Sequence, residues 1–255
     1  MKILFIGDVV GSGGCEYVRN RLPSLKKEHD IAVTIANGEN SAIGNGILPQ
    51  SARHLFDSGV DIITTGNHVF KRKEIYPYLD ETQGIIRPAN ISAKCPGRGL
   101  FVLDCGRDKV CVINLIGQVY MEPVDNPFCK MDRLLQKNEN KITIVDFHAE
   151  ATSEKGAMAH YLDGRVSAVI GTHTHVQTCD EQILPRGTGF ITDAGMTGPQ
   201  LSVLGVTPES IISKLTTGMP AKFETSENPC FLNGVILDID SSSGKCVGIK
   251  RVMDN

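Results

Sequence analysis

Ile3-Leu4-Phe5-Ile6-Gly7-Asp8 is four apolar residues that stop at a glycine and an acid. A short apolar run closed by a turn signal reads as a buried strand. The pattern recurs twice. Ile31 to Ala36 runs into Asn37-Gly38-Glu39-Asn40, and Val60 to Thr64 is followed by Gly66-Asn67-His68. Between these runs lie a helix-like stretch from about Cys15 to Glu28 and a helix opening at Pro49. Pro23 lacks an amide hydrogen and crowds the preceding turn, so a kink or a split is expected there. Strands alternating with helices predict a parallel sheet with helices packed on it.

The middle of the chain changes character. Leu100 to Cys105 and Val110 to Leu115, joined by Gly106-Arg107-Asp108-Lys109, read as a hairpin. A helix from about Phe128 to Lys137 and the strand Ile142 to Phe147 follow. Next come a helix from about Glu154 to Leu162 and the strands Val166 to Ile170 and Gly189 to Thr192. Val235 to Ile239 and Cys246 to Ile249, turned by Ser241-Ser242-Ser243-Gly244, form a second hairpin. Parallel units first and hairpins later imply mixed sheets in an α/β fold. No repeat or linker interrupts the chain, so one domain over residues 1–255 is expected. The stretch 76–99, with Pro77, Pro88 and Pro96, reads as a small excursion or cap beside the site.

The totals exclude several classes. With 41% hydrophobic and 22% charged residues, the 255-residue chain has a globular rather than a disordered balance. A net charge of -3 leaves no electrostatic footprint for a nucleic acid duplex or an anionic membrane. Lys71-Arg72-Lys73 reads as a solvated helix start. No apolar run approaches the ~20 residues that span a bilayer. Ile3 to Ile6 is too short for a secretory signal, and Asp8 interrupts it. The 8 cysteines are scattered and contain no C-x-x-C pair, so reduced, mostly buried thiols in a cytoplasmic protein are expected.

The polar residues carry the functional reading. Asp8, Glu39 with Asn40, Asn67 with His68, and His148 each follow a different strand. His173 and His175 of Gly171-Thr172-His173-Thr174-His175 follow a fifth. In open α/β sheets, the carboxyl ends of strands are where sites assemble. Residues i and i+2 of an extended chain face the same side, so both imidazoles of the last motif can reach one cluster. Two metal ions about 3.5–4 Å apart need a bridging carboxylate and oxygen or nitrogen donors around it. Glu39 suits the bridge. Asp8 and His175 complete one shell, and Asn67, His148 and His173 the other. The neutral amides leave net positive charge on the metals, which favours a phosphoryl group and acidifies a bridging water as nucleophile. His68 has no vacancy to fill and suits a proton donor to the leaving alkoxide, against a plain hydrogen-bonding role. Asp146 and Glu150 flank His148 at two positions either side and read as supporting or solvated acids.

In order and spacing, Gly7-Asp8, Gly38-Glu39-Asn40, Gly66-Asn67-His68, His148 and Gly171 to His175 resemble the blocks of the calcineurin-like metallophosphoesterases. Ile6-Gly7-Asp8-Val9-Val10-Gly11, Asn37 to Asn40 with Gly44-Asn45-Gly46-Ile47, and Thr192-Asp193-Ala194-Gly195-Met196-Thr197-Gly198 are similar to its YmdB-like phosphodiesterase subgroup. The chain departs from the wider family at two places. Position 10 is Val10 where a histidine is usual, and the bridging acid is Glu39 rather than an aspartate. The subgroup resemblance implies that Asn40 takes the missing ligand's place. It also implies a four-layer αββα fold, two mixed sheets packed as a sandwich with helices outside. Two iron or manganese ions, with zinc or magnesium as further options, and cyclic nucleotide phosphodiesters as substrates follow from the same resemblance.

Rival readings are weaker or share this chemistry. Gly11-Ser12-Gly13-Gly14-Cys15-Glu16 starts like a dinucleotide fingerprint, but Glu16 stands at the third glycine and would repel a pyrophosphate. No G-K-[ST] follows to make a P-loop. A metal-binding regulatory protein would carry the same ligands. A phosphomonoesterase would need cations to clamp a doubly charged group, for which Arg87 and Arg186 are the candidates. A homo-oligomer is expected, and Ile75, Tyr76 and Tyr78 could be a subunit contact, a lid or a helix's core face.

Overall fold

The computed structural model describes residues 1–42 and 45–255. Gly44 of the subgroup-like second block therefore lies outside the described residues. β1 (Lys2–Ile6) leads across Gly7 into the short β2 (Asp8–Val9), and α1 (Gly11–His29) follows. Then come β3 (Val33–Asn37), α2 (Pro49–Asp57), β4 (Ile62–Thr64) and α3 (Ile75–Glu81). The hairpin β5 (Leu100–Asp104) and β6 (Lys109–Ile116) is succeeded by α4 (Pro127–Leu135), β7 (Ile142–His148), α5 (Thr152–Leu162) and β8 (Ala168–Thr172). After β9 (Gln182–Ile183), β10 (Gly189–Ile191) and β11 (Met196–Pro199), α6 (Pro208–Thr217) precedes the terminal hairpin β12 (Cys230–Ile239) and β13 (Cys246–Asp254).

These strands form two mixed sheets. One has seven strands in the order β2-β11-β12-β1-β3-β4, with β13 paired to β12; the other has six, β5-β6-β7-β8-β10-β9. Side-chain alternation sorts the chain into layers. Ile3, Phe5, Val33, Ile35 and Ile62 face Val110, Val112, Ile142, Ile144 and Ile170 between the sheets. Their neighbours Leu4, Ile6, Ala36 and Ile63 point the other way, against Val18, Leu22 and Leu55 of the first helices. On the far side Cys111, Ile113, Val145 and Phe147 meet Met131, Met158 and Leu162 of α4 and α5. The order is helix, sheet, sheet, helix. Each fully buried aliphatic side chain contributes about 1.5–3 kcal/mol. A one-residue slip would turn every one of them to the wrong face, so the register is strongly determined.

Two local expectations are refined. Of the kink or split expected at Pro23, the split does not occur: α1 runs through it as one helix. Val18 and Leu22 before it and Leu25 after it are all buried in one cluster, and their packing outweighs the roughly 3 kcal/mol that a proline costs mid-helix. All eight cysteines are free, but only Cys15, Cys111 and Cys246 are buried; Cys105, in the turn of its hairpin, is exposed. The stretch 76–99 links β4 of one sheet to β6 of the other. The Ile63 amide donates to Gly84 O, Ile86 N to Ile63 O, and Ala89 N to Asn114 O. Ile85 packs with the helices of the first sheet and Ile86 between the sheets.

Gly7 decides how the first strand ends. Its amide still donates to Asn233 O of β12, while the next amide, Asp8 N, donates to Gly195 O. The chain thus changes partner at this residue. A Cβ on Gly7 would lie 2.1 Å from Gly195 O, so only glycine permits the approach that delivers Asp8 to the crevice.

Candidate metal centre

The carboxyl ends of β1, β3, β4, β7 and β8 converge. Asp8, Glu39 and His148 are buried, Asn40 nearly so, and His173 and His175 partly exposed. His148 Nε2 is the focus. It lies 3.0 Å from Asn67 Oδ1, 3.1 Å from Glu39 Oε1 and 3.0 Å from His173 Nδ1. A ring nitrogen carries one lone pair or one hydrogen, so it cannot satisfy three such neighbours. On the other side of Glu39, His175 Nε2 lies 3.8 Å from Asp8 Oδ1 and 3.2 Å from Asn40 Nδ2.

Each imidazole is aimed by its other nitrogen. Thr172 Oγ1 donates to Asp146 Oδ1 at 2.7 Å, so it accepts from His148 Nδ1–H at 2.9 Å. In the neutral ring, the form that binds a metal, this places the lone pair of His148 on Nε2, toward the cluster. Asn37 Nδ2 donates to Asp146 Oδ2 and fixes the relay from behind. His173 Nε2 meets the half-exposed Glu150 at 3.0 Å, and His175 Nδ1 meets Leu204 O at 3.1 Å. Partners of this kind set the tautomer and orientation of metal-binding histidines.

The loop bearing His173 and His175 is contorted, with φ of 104° and 63° at these residues. Left-handed non-glycine residues cost of order 1–3 kcal/mol each and persist only where neighbours hold them. The neighbours are acids. His173 N–H donates to Asp8 Oδ2 at 3.1 Å and Thr174 N–H to Asp193 Oδ2 at 3.0 Å. Asp193 is itself locked by the buried Lys155, 2.7 Å away, and by Gly195 N–H. Asn37, Thr172, Lys155 and Asp193 had no assigned role from sequence. Asp193 stands in a subgroup-like block, but Lys155 lies 38 positions away on α5 and gives no local signal.

Electrostatics favour a cation at this cluster. Burial opposes the charged form of Glu39, yet His148 and His68 hold its carboxyl down at about 2. Burial equally opposes the imidazolium of His148, but Glu39 and Asp8 push it up to about 9. The acids recruit whatever positive charge is near. Burial pushes the Asp8 carboxyl up and, with His148, the His173 imidazole down to about 3. Burial likewise lowers His68.

Three observations test whether a metal fits. Asp8 Oδ1 is buried without a hydrogen-bond partner among the described residues, a costly state for a carboxylate oxygen unless a cation meets it. Ligand atoms of Glu39, His148 and His173 all lie within 4.8 Å of one another. A Cβ on Gly66 would fall 2.3 Å from His148 Cδ2 and 2.4 Å from Glu39 Oε2, so glycine there keeps the cradle open. Asn40 is a special case. Its Oδ1 contacts His68 Nδ1 at 2.9 Å while Nδ2 faces Glu39 and His175. An amide binds cations through oxygen, so ligation by Asn40 requires its side chain turned over. Asn40 is also the bridge partner of Val10, the position where the wider family carries histidine.

Above the cluster opens a cleft of about 350 Å³. Its lining comes from two parts of the chain: Glu39, Asn40, His68, Glu150, His173 and His175 from loops after the strands, and Leu204, Val206, Phe223 and Thr225 from the connection between β11 and β12. Arg87 is turned away, donating to the carbonyls of Pro88, Cys95 and Pro96, and Arg186 pairs with Asp163. Among the described residues that line the cleft there is no lysine or arginine.

Comparison with known proteins agrees with this architecture. A family model described as YmdB-like protein matches residues 4–252. A 2',3'-cyclic-nucleotide 2'-phosphodiesterase of Bacillus subtilis (strain 168) is 46% identical, covering 100% of this chain and 97% of that protein. A Thermus thermophilus protein of known crystal structure superposes with a TM-score of 0.95 at 40% identity, covering 99% of this chain and 98% of that one. A phosphatase from Mycoplasma pneumoniae does so with 0.95 at 35% identity, covering 99% and 92%. The chain therefore belongs to the YmdB-like protein family.

Proposed function

We propose that the chain hydrolyses small phosphodiesters, nucleoside 2',3'-cyclic phosphates above all, with two metal ions held by Asp8, Glu39, Asn40, Asn67, His148, His173 and His175. Glu39, Asn67, His148 and His173 would hold one ion, and Asp8, Asn40 and His175, with Glu39 beside them, would hold the other. The observation that carries this reading is the crowding of Asn67, Glu39 and His173 on one nitrogen of His148, beside the unpartnered Asp8 oxygen. The name of the 46% identical relative supplies the ester class. Iron or manganese suits this mixture of carboxylate, amide and imidazole donors.

When bound, such metals supply positive charge to phosphoryl oxygens and acidify water. The protein's own groups do the rest. The acids lining the cleft are Glu39 and Glu150, so an anionic diester enters only where the cluster's charge has been reversed. With the Asn40 amide turned over to ligate through Oδ1, its Nδ2–H would donate to His68 Nδ1, which leaves the proton of the neutral ring on Nε2, toward the cleft. There it would protonate the leaving ribose oxygen as one ester bond breaks and the water oxygen bonds to phosphorus. Leu204 O, Glu150 and the Thr172–Asp146 pair keep the imidazoles from swinging during that step.

A monoesterase is the second reading, favoured by the phosphatase among the similar structures. The cleft argues against it, because the dianion lacks the arginine clamp it would need. Purified protein loaded with manganese should bind about two ions per chain and cleave 2',3'-cyclic AMP and bis-p-nitrophenyl phosphate faster than p-nitrophenyl phosphate. Equal inertness of wild type and Glu39→Ala at saturating metal would remove the enzymatic reading and leave a metal-binding regulator.

A further inference from the structure

The cleft has two unlike sides. The polar side is accounted for by the metal centre; the apolar side is not. Leu204, Val206 and Phe223 stand against a site built for an anion, and Leu204 and Phe223 remain 48% and 42% exposed. A phosphate gains nothing from such a surface. A planar, weakly polar group attached to the phosphate would remove it from water.

We propose that Phe223, flanked by Leu204 and Val206, is the stacking platform for the nucleobase of the cyclic nucleotide, an inference that rests on the cyclic-diester reading above. The ring is braced, with Lys214 Nζ 4.8 Å from its centroid. Its backbone is framed. Thr207 N–H donates to Glu224 O, Ser226 N–H donates to Gly205 O, and Val206 bridges to Thr225. In an extended segment residues two apart face the same way, and Phe223 and Thr225 both line the cleft. The platform is also tied to the chemistry, because Leu204 O holds His175 Nδ1 at 3.1 Å. Stacking on an aromatic face tolerates every base and grows with the size of the π surface. All four nucleosides are accepted, and purines bind more tightly than pyrimidines.

The test compares 2',3'-cyclic AMP, 2',3'-cyclic CMP and glycerol 1,2-cyclic phosphate, a cyclic diester without a base, in the manganese-loaded wild type, Phe223→Ala and Phe223→Trp. Phe223→Ala should raise KM for cyclic AMP on the order of tenfold and for cyclic CMP by less, with kcat nearly unchanged. Glycerol 1,2-cyclic phosphate should show no change in KM, and its unchanged turnover reports that the variant is folded. Phe223→Trp should restore the purine KM. A rise in KM that is equal with and without a base overturns the platform. Should the wild type hydrolyse none of the three, the cyclic-diester reading falls instead. Calorimetric titration with adenosine 3'-monophosphate then decides the platform alone: tighter binding to wild type than to Phe223→Ala keeps it, and equal binding removes it.

Discussion

The two sides of the cleft are made in opposite ways. At the strand ends, Asp8 and His148 are wholly buried, the rings of His148, His173 and His175 are each aimed by a second contact, and glycines at 7 and 66 leave room for backbone and side chains. The facing side comes from the connection between β11 and β12, whose helix α6 buries none of its residues. The difference separates tasks. On the proposed reading, bond-breaking geometry is carried by the sheet ends, whereas substrate shape is read by an excursion that the cores do not need.

If that division is right, damage to the sheet side should be far costlier. Glu39→Ala removes the shared carboxylate and should take turnover of bis-p-nitrophenyl phosphate to background, with metal content falling in the same preparation. His68→Ala should lower turnover by about 10²–10⁴-fold while metal content, read by mass spectrometry, stays near wild type. Metal loss in that variant would make His68 a ligand and move it across the comparison. Lys155→Met strands the buried Asp193 and should cost about 3–5 kcal/mol in denaturant unfolding. It should also weaken metal affinity about 10–100-fold, because Asp193 no longer holds the histidine loop. Leu215→Glu, on a helix residue 78% exposed, should shift stability by no more than about 0.5 kcal/mol. A large loss there would mean that α6 is covered in solution, and the two sides would no longer be opposites.

How much could be read beforehand follows the same line. Strands such as Ile3 to Ile6 and Ile142 to Phe147 announce themselves as apolar runs, and the ligand candidates sit immediately after them. Locality made them legible. β11 escaped notice because Met196-Thr197-Gly198-Pro199 has no alternation, and α6 because its apolar residues Ile211, Ile212 and Leu215 span little more than one turn and join no core. Whether Pro23 would split α1 was not legible, because packing on both sides of it is a tertiary term that propensity omits.

Sequence alone determined the alternating order of elements and the short list of acids, amides and imidazoles at strand ends, since both depend on residues adjacent in the chain. Only the tertiary structure decided which nitrogen of each histidine faces the cluster, which way the Asn40 amide points, and that Lys155 and Asp193 lock the loop. Those outcomes depend on hydrogen bonds between groups tens of residues apart. No local pattern encodes the orientation of a side chain whose partner arrives from another strand.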